Sequence, residues 1–328
     1  MGYFSRLTRQ ETNRGTLVKW GCQLDQAVAL RNMKKSEKKP EPPFEDGISR
    51  APATQPVTGK NVRVISITSG KGGVGKTNIT VNLAYLLTKM KKKTLILDAD
   101  MGLANIDVIL GLTPKYNLFH VLNGEKTMQE ALIQGPGGIT ILPSASGIQE
   151  MSDLSKGQKL TLLDELRAVS REMDFLLIDT AAGIAGNVMY FNMAADEIIV
   201  VASPEPTSLT DAYAIIKVLY QKHAKKCFRL LVNMVRDARE GREVYQRLHQ
   251  ATDRFLNLNI EYFGYILRDE KLPEAVKQQE AFTVRYPQSP ASKCLLALAE
   301  KLSDEQPAGC DTGGISLFWE RIIEKDRG

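Results

Sequence analysis

Short apolar runs recur through the middle of the chain, at residues 62–67, 93–100, 173–179, 197–203, 228–232 and 260–267. They are rich in Val, Ile and Leu with little polar alternation, as expected of strands buried on both faces. The intervening stretches carry helical spacing. Ile79, Leu83, Leu86, Leu87 and Met90 share one helical face after the first run, and helices are expected to open within 204–213 and to span 272–279 and 289–302. Strands alternating with helices predict an α/β domain over residues 61–302, with a mainly parallel sheet covered by helices on both faces.

The flanks have a different texture. Residues 24–33 hold no Gly or Pro and read as one short helix, whereas 34–60 contain Pro40, Pro42, Pro43, Pro52 and Pro56 among charged and small residues and read as a disordered linker. A helix this short gains its order from a surface, either a partner or its own domain. A second linker is expected at 303–314. Beyond it Ile315, Phe318, Trp319, Ile322 and Ile323 fall on one face of a helix over 315–325, with Glu320, Arg321, Glu324 and Lys325 toward the other. Such a helix suits reversible binding at a membrane interface, or docking in a groove of its own domain.

The 328 residues are 43% hydrophobic and 25% charged, an ordinary composition for one large domain with tails. No apolar run reaches the ~18 residues of a spanning helix, and the N-terminus has no secretory core, so a cytoplasmic protein is expected. Cys22, Cys227, Cys294 and Cys310 lack the spacing of a zinc or cluster site. The net charge of +5 is too modest to mark a nucleic-acid binder.

The chemistry concentrates after the first strand, in Thr-Ser-Gly-Lys-Gly-Gly-Val-Gly-Lys-Thr at 68–77. Between a strand and a helix, the spacing G-x-x-x-x-G-K-[ST] defines a phosphate-binding loop. Gly70, Gly72, Gly73 and Gly75 let backbone amides turn toward phosphate oxygens; Val74 and Asn78 complete the stretch. Lys76 reaches the β- and γ-phosphates and Thr77 supplies a hydroxyl to Mg²⁺. Lys71, beside Gly70, is a second cation whose expected direction is outward, toward a nucleotide held by a facing subunit. Asp98 and Asp100 end one strand and Asp179 another, which places three carboxylates at the strand edge where α/β sheets bind ligands. Asp179 has the setting of a Mg²⁺-associated acid, and Gly183 gives the next loop a hinge.

The lysine-bearing loop resembles the deviant Walker-A ATPases of the MinD/ParA class, which implies ATP and Mg²⁺ as ligands and an ATP-dependent homodimer. By the same resemblance Lys71 is the signature lysine, Lys76 and Asp100 are catalytic with Asp100 orienting water, Asp98 supports the metal site and Asn105 is a switch residue. Asn233, at a strand end, matches a base-contacting asparagine; on its position alone a turn role is the more frequent one.

Asp25, Gln26, Leu30 and Arg31 match the D-Q-A-x-x-L-R element of the FlhG family, also called FleN or YlxH, and 204–213 resembles that family's version of the segment. The resemblance implies an FlhF-type GTPase stimulated by the 24–33 helix, flagellar C-ring components or a flagellar transcription activator as further partners, and reversible attachment to the inner face of the cell membrane. A ParA-like DNA partition role is the alternative that the modest charge disfavours.

Overall fold

The computed structural model describes residues 62–100, 105–144 and 172–305, together with 165, 168 and 169. The expected helices at 24–33 and 315–325, the first linker, the second linker beyond residue 305 and residues 101–104 lie outside these; the start expected for the second linker is instead helical, since the last helix runs to Asp304.

The apolar runs form the sheet. Strands β1 (Arg63–Ser69), β2 (Thr94–Ala99), β5 (Phe175–Ala182), β6 (Glu197–Ala202), β7 (Phe228–Val235) and β8 (Glu261–Leu267) pair in parallel. The pattern did not reveal β3 (Ile133–Gln134) and β4 (Thr140–Leu142). These extend one edge, β4 parallel to β2 and β3 antiparallel to β4. The sheet order is β3-β4-β2-β5-β1-β6-β7-β8. From β1 the chain moves first to one side and then to the other, so the carboxyl end of β1 is a crevice between diverging connections.

Alternate residues of each central strand enter opposite cores. Val64, Leu176 and Ile198 are buried on one face; Ile65, Leu177 and Ile199 are buried on the other. The second face is covered chiefly by α1 (Lys76–Lys89) and, after the short helices α2 (Ile106–Leu110), α8 (Leu272–Lys277) and α9 (Phe282–Arg285), by α10 (Pro290–Asp304). The first face carries α3 (Leu118–Leu122), α4 (Met128–Ala131), α5 (Gly186–Ala194), α6 (Pro206–His223) and α7 (Ala238–Leu256). The helix expected at 272–279 ends at Lys277, and α9 follows it unannounced.

At the amino ends of the strands, buried Glu197 on β6 takes two bonds from Arg63 of β1 and one from Arg229 of β7. Arg229 also pairs with Glu261 and Glu305. Arg63 Nη1 donates to the carbonyls of Leu302 and Glu305, satisfying acceptors that the end of α10 leaves open.

Candidate functional site

The site is built at the opposite, carboxyl end of the sheet. β1 stops at Ser69, the loop runs through residues 70–75, and α1 begins at Lys76 with no side-chain cap, leaving its first amides for an anion. Gly73 and Gly75 have φ of 77° and 92°, the left-handed region that glycine adopts without strain. Gly75 is doubly constrained, because a Cβ there would lie 2.6 Å from Asn233 Nδ2. A Cβ on Gly70 would lie 2.1 Å from the carbonyl oxygen of Asp211, so the loop rests directly on α6, whereas Gly72 faces open space.

The Lys76 side chain is buried, and its Nζ donates to Ser69 Oγ at 2.8 Å. Burial lowers its pKa, opposed by the negative charges of Asp179 and Asp100. Lys71 leaves the loop the other way: its ammonium bonds the Glu205 carboxylate and, at 3.0 Å, Thr207 Oγ1. Within this chain Lys71 is therefore held by the start of α6.

Asp98 and Asp179 stand opposite each other in the parallel register of β2 and β5. Burial, and then each other's charge, pushes Asp98 up to about 8; burial pushes Asp179 up to about 6 against the opposing hydrogen bond from Thr77 and the charge of Lys76. Thr80 Oγ1 donates to Asp179 Oδ1 at 3.2 Å. Asp100 is half-buried; its amide donates to Asp98 Oδ1 at 3.1 Å and its carbonyl accepts from Ser144 Oγ at 3.0 Å. Asn105 precedes α2, and Gly183, at φ 94°, donates its amide to the Ser69 carbonyl at 2.9 Å. The loop after β5 is thus tied to the root of the phosphate loop.

A cavity of about 510 Å³ opens beside α1, lined by Asn78, Asn233, Leu267, Arg268 and Pro273 among others, with Phe282 and Leu295 toward its floor. Asn233 Nδ2 donates to the Val74 carbonyl at 2.8 Å, and its Oδ1 accepts from the amide of Met234 at 2.9 Å. The residues fit a nucleotide with Mg²⁺: a buried lysine and open helix amides for the phosphates, and neighbouring buried carboxylates whose mutual repulsion a cation would relieve. Among the described residues no three His, Cys, Asp or Glu side chains gather to hold a metal unaided. A Mg²⁺ here would share its ligands with phosphate.

Known proteins agree with this geometry. The AAA domain family matches residues 62–230. Antiactivator FleN of Pseudomonas aeruginosa is 44% identical over 263 residues, covering 80% of this chain and 94% of that protein. The flagellum site-determining protein YlxH of Helicobacter pylori is 34% identical over 268 residues, covering 80% and 90%. This chain belongs to the FlhG/FleN/YlxH-type MinD-like ATPases. The solved MinC:MinD complex of Aquifex aeolicus matches this FleN-type fold with a TM-score of 0.61 at 29% identity, over 75% of this chain and 97% of that one. MinD of Pyrococcus horikoshii OT3 complexed with Mg-ADP gives 0.60 at 27%, over 74% and 96%.

Residue reasoning on this FleN-type chain missed Ser69, Thr80, Glu205 and Thr207. Thr80 was findable, since it lies one helical turn after Lys76 on the face turned to β5. Glu205 was not, because only the fold brings it across 134 residues to Lys71. No described helix is long and apolar enough to cross a membrane.

Proposed function

We propose that this FleN-type ATPase is an ATP-controlled dimerising switch that sets flagellar number or placement. The observation that carries the reading is the phosphate loop with buried Lys76 facing the Asp98–Asp179 pair, in a chain related over most of its length to proteins named for antiactivation and flagellum siting. Loop amides, Lys76 and Thr77 would hold the triphosphate; Thr77 and Asp179, supported by Asp98, would hold Mg²⁺, which when bound neutralises phosphate charge. Lys71 exchanges Glu205 for a nucleotide across the dimer, and Asp100 orients the attacking water. Asn105 and Gly183 respond to the γ-phosphate. No strong base is required, since phosphoryl transfer depends on positioning and charge compensation.

In the same proposal residues 1–33 form a tail whose Asp25, Gln26, Leu30 and Arg31 stimulate an FlhF-type GTPase. Residues 34–60 and 306–314 act as linkers around the ATPase domain, whose last helix ends at Asp304. Ile315, Phe318, Trp319, Ile322 and Ile323 bind the inner membrane face, strongly only when two copies act together in the dimer. The full-length protein is expected to hydrolyse ATP only with Mg²⁺ and to stimulate GTP hydrolysis by a purified FlhF-type protein, with Gln26→Ala removing the stimulation. No ATP hydrolysis would sink the switch; stimulation unchanged by Gln26→Ala would sink the role of the tail.

A second reading, favoured by the name of the Pseudomonas relative, is antiactivation: the ATP-bound dimer holds a flagellar transcription activator and hydrolysis only resets it. An Asp100→Ala protein that still restrains the activator favours this reading, and loss of restraint favours turnover.

A further inference from the structure

Asn233 lines the cavity beside α1, and its side chain bonds the phosphate loop. It is buried, at 5% exposure. Its Oδ1 accepts from the Met234 amide, holding Met234 at φ 62° where the pairing of β7 with β8 shifts register between Val232 and Val235. A non-glycine residue in this region is uncommon and is stabilised by such a local side-chain bond. With Oδ1 so oriented, Nδ2 points at the Val74 carbonyl, 2.8 Å away. That bond fixes the peptide between Val74 and Gly75, whose amide is among those positioned to face phosphate. The contact at Gly75 is equally tight, since a Cβ there would meet Asn233 Nδ2 at 2.6 Å.

We infer that Asn233 is a positioning residue for the phosphate loop, setting the Val74–Gly75 peptide for triphosphate binding through β7, in addition to any contact that its second amide hydrogen and lone pair make with the base. The inference rests on the nucleotide-binding reading above and deepens it. Removing the Nδ2 donor lets the Val74 carbonyl rotate, and a preorganised cradle then has to be ordered by the ligand, which lowers affinity. The loss falls on phosphates whether or not a base is attached.

The test separates the two halves of the ligand. Full-length protein is titrated calorimetrically with Mg-ATP and with magnesium tripolyphosphate, and by ligand-observed NMR with adenosine. Three forms are compared: the unaltered chain, Asn233→Ala, and Asn233→Asp, which keeps the acceptor for Met234 but presents oxygen to the Val74 carbonyl. Tripolyphosphate affinity, which no contact to a base can affect, is expected to fall at least ~10-fold in both variants, the scale of one lost buried hydrogen bond, and ATP affinity at least as much. Tripolyphosphate binding retained in both variants, whether or not adenosine binding is lost, would overturn the inference. An unaltered chain that binds neither ATP nor tripolyphosphate would overturn the nucleotide reading itself. As a check that does not need either variant to fold, the Gly75 amide resonance of the unaltered chain should shift with tripolyphosphate while the Asn233 side-chain amide stays protected from exchange; rapid exchange of that amide would show that the bond to Val74 is not held.

Discussion

Lys71 and Glu205 form an ion pair within one chain, joining the glycine loop to the first turn of α6. The same lysine is the group proposed to cross the dimer. Dimerisation then requires that an existing bond be exchanged, and Glu205 competes with the nucleotide of the facing subunit. Both partners are substantially exposed, so the pair contributes about 1 kcal/mol or less. Glu205→Ala is expected to lower the ATP concentration that half-populates the dimer by several-fold in analytical ultracentrifugation. An unchanged or raised midpoint would mean that Glu205 supports the dimer.

The glycines of the loop are not equivalent. Gly70→Ala forces a Cβ into the Asp211 backbone, which cannot yield as a side chain could, and should lower the melting temperature as well as abolish ATP binding. Gly72→Ala meets nothing within 4 Å and should leave the melting temperature within about a degree. Differential scanning fluorimetry of the two proteins checks the contrast.

Asp179 carries opposing demands. Its buried charge faces Asp98 across the strands and also offsets the buried Lys76 ammonium, so neutralising it relieves a repulsion and removes an attraction together with the metal-associated acid. With the two effects opposed, Asp179→Asn is expected to melt within a few degrees of the unaltered protein without ligands. It should also lose the upward shift that Mg-ATP gives the unaltered chain, a shift that follows ligand concentration over Kd. A variant that melts many degrees away from the unaltered protein in either direction would contradict this balance.

Glu197 is buried between two guanidinium groups. Replacing it with Ala strands the Arg63 charge in the interior, while Arg229 keeps Glu261 and Glu305, and should cost roughly 3–5 kcal/mol. Chemical denaturation measures the loss. Hydrogen exchange should locate early opening at the last turn of α10, where Arg63 would lose the partner that orients it toward the Leu302 carbonyl.

The parallel strands and the phosphate loop were legible because each depends on neighbours in sequence: an apolar run long enough to be buried on both faces, followed by glycines before a helix. Asp98, Asp100 and Asp179 were legible for a related reason, since strand ends in such sheets share one edge. What sequence could not supply was register. That Asp98 and Asp179 are paired across β2 and β5, that Lys71 meets Glu205 and that Asn233 holds Val74 are products of strand order, which a linear pattern does not state. The short elements escaped for lack of length: β3 has two residues and α9 four, too few for a period to show.

The Arg63 guanidinium, by holding the Leu302 and Glu305 carbonyls, fastens the first strand of the described domain to its last helix. In mechanical terms the domain is a loop closed by a clasp. Tension applied through residues 62 and 305 would act on that clasp before it reached the phosphate loop at the far end of the sheet. A circular permutant joining these points and opened on the rim of α7 should keep its nucleotide chemistry intact.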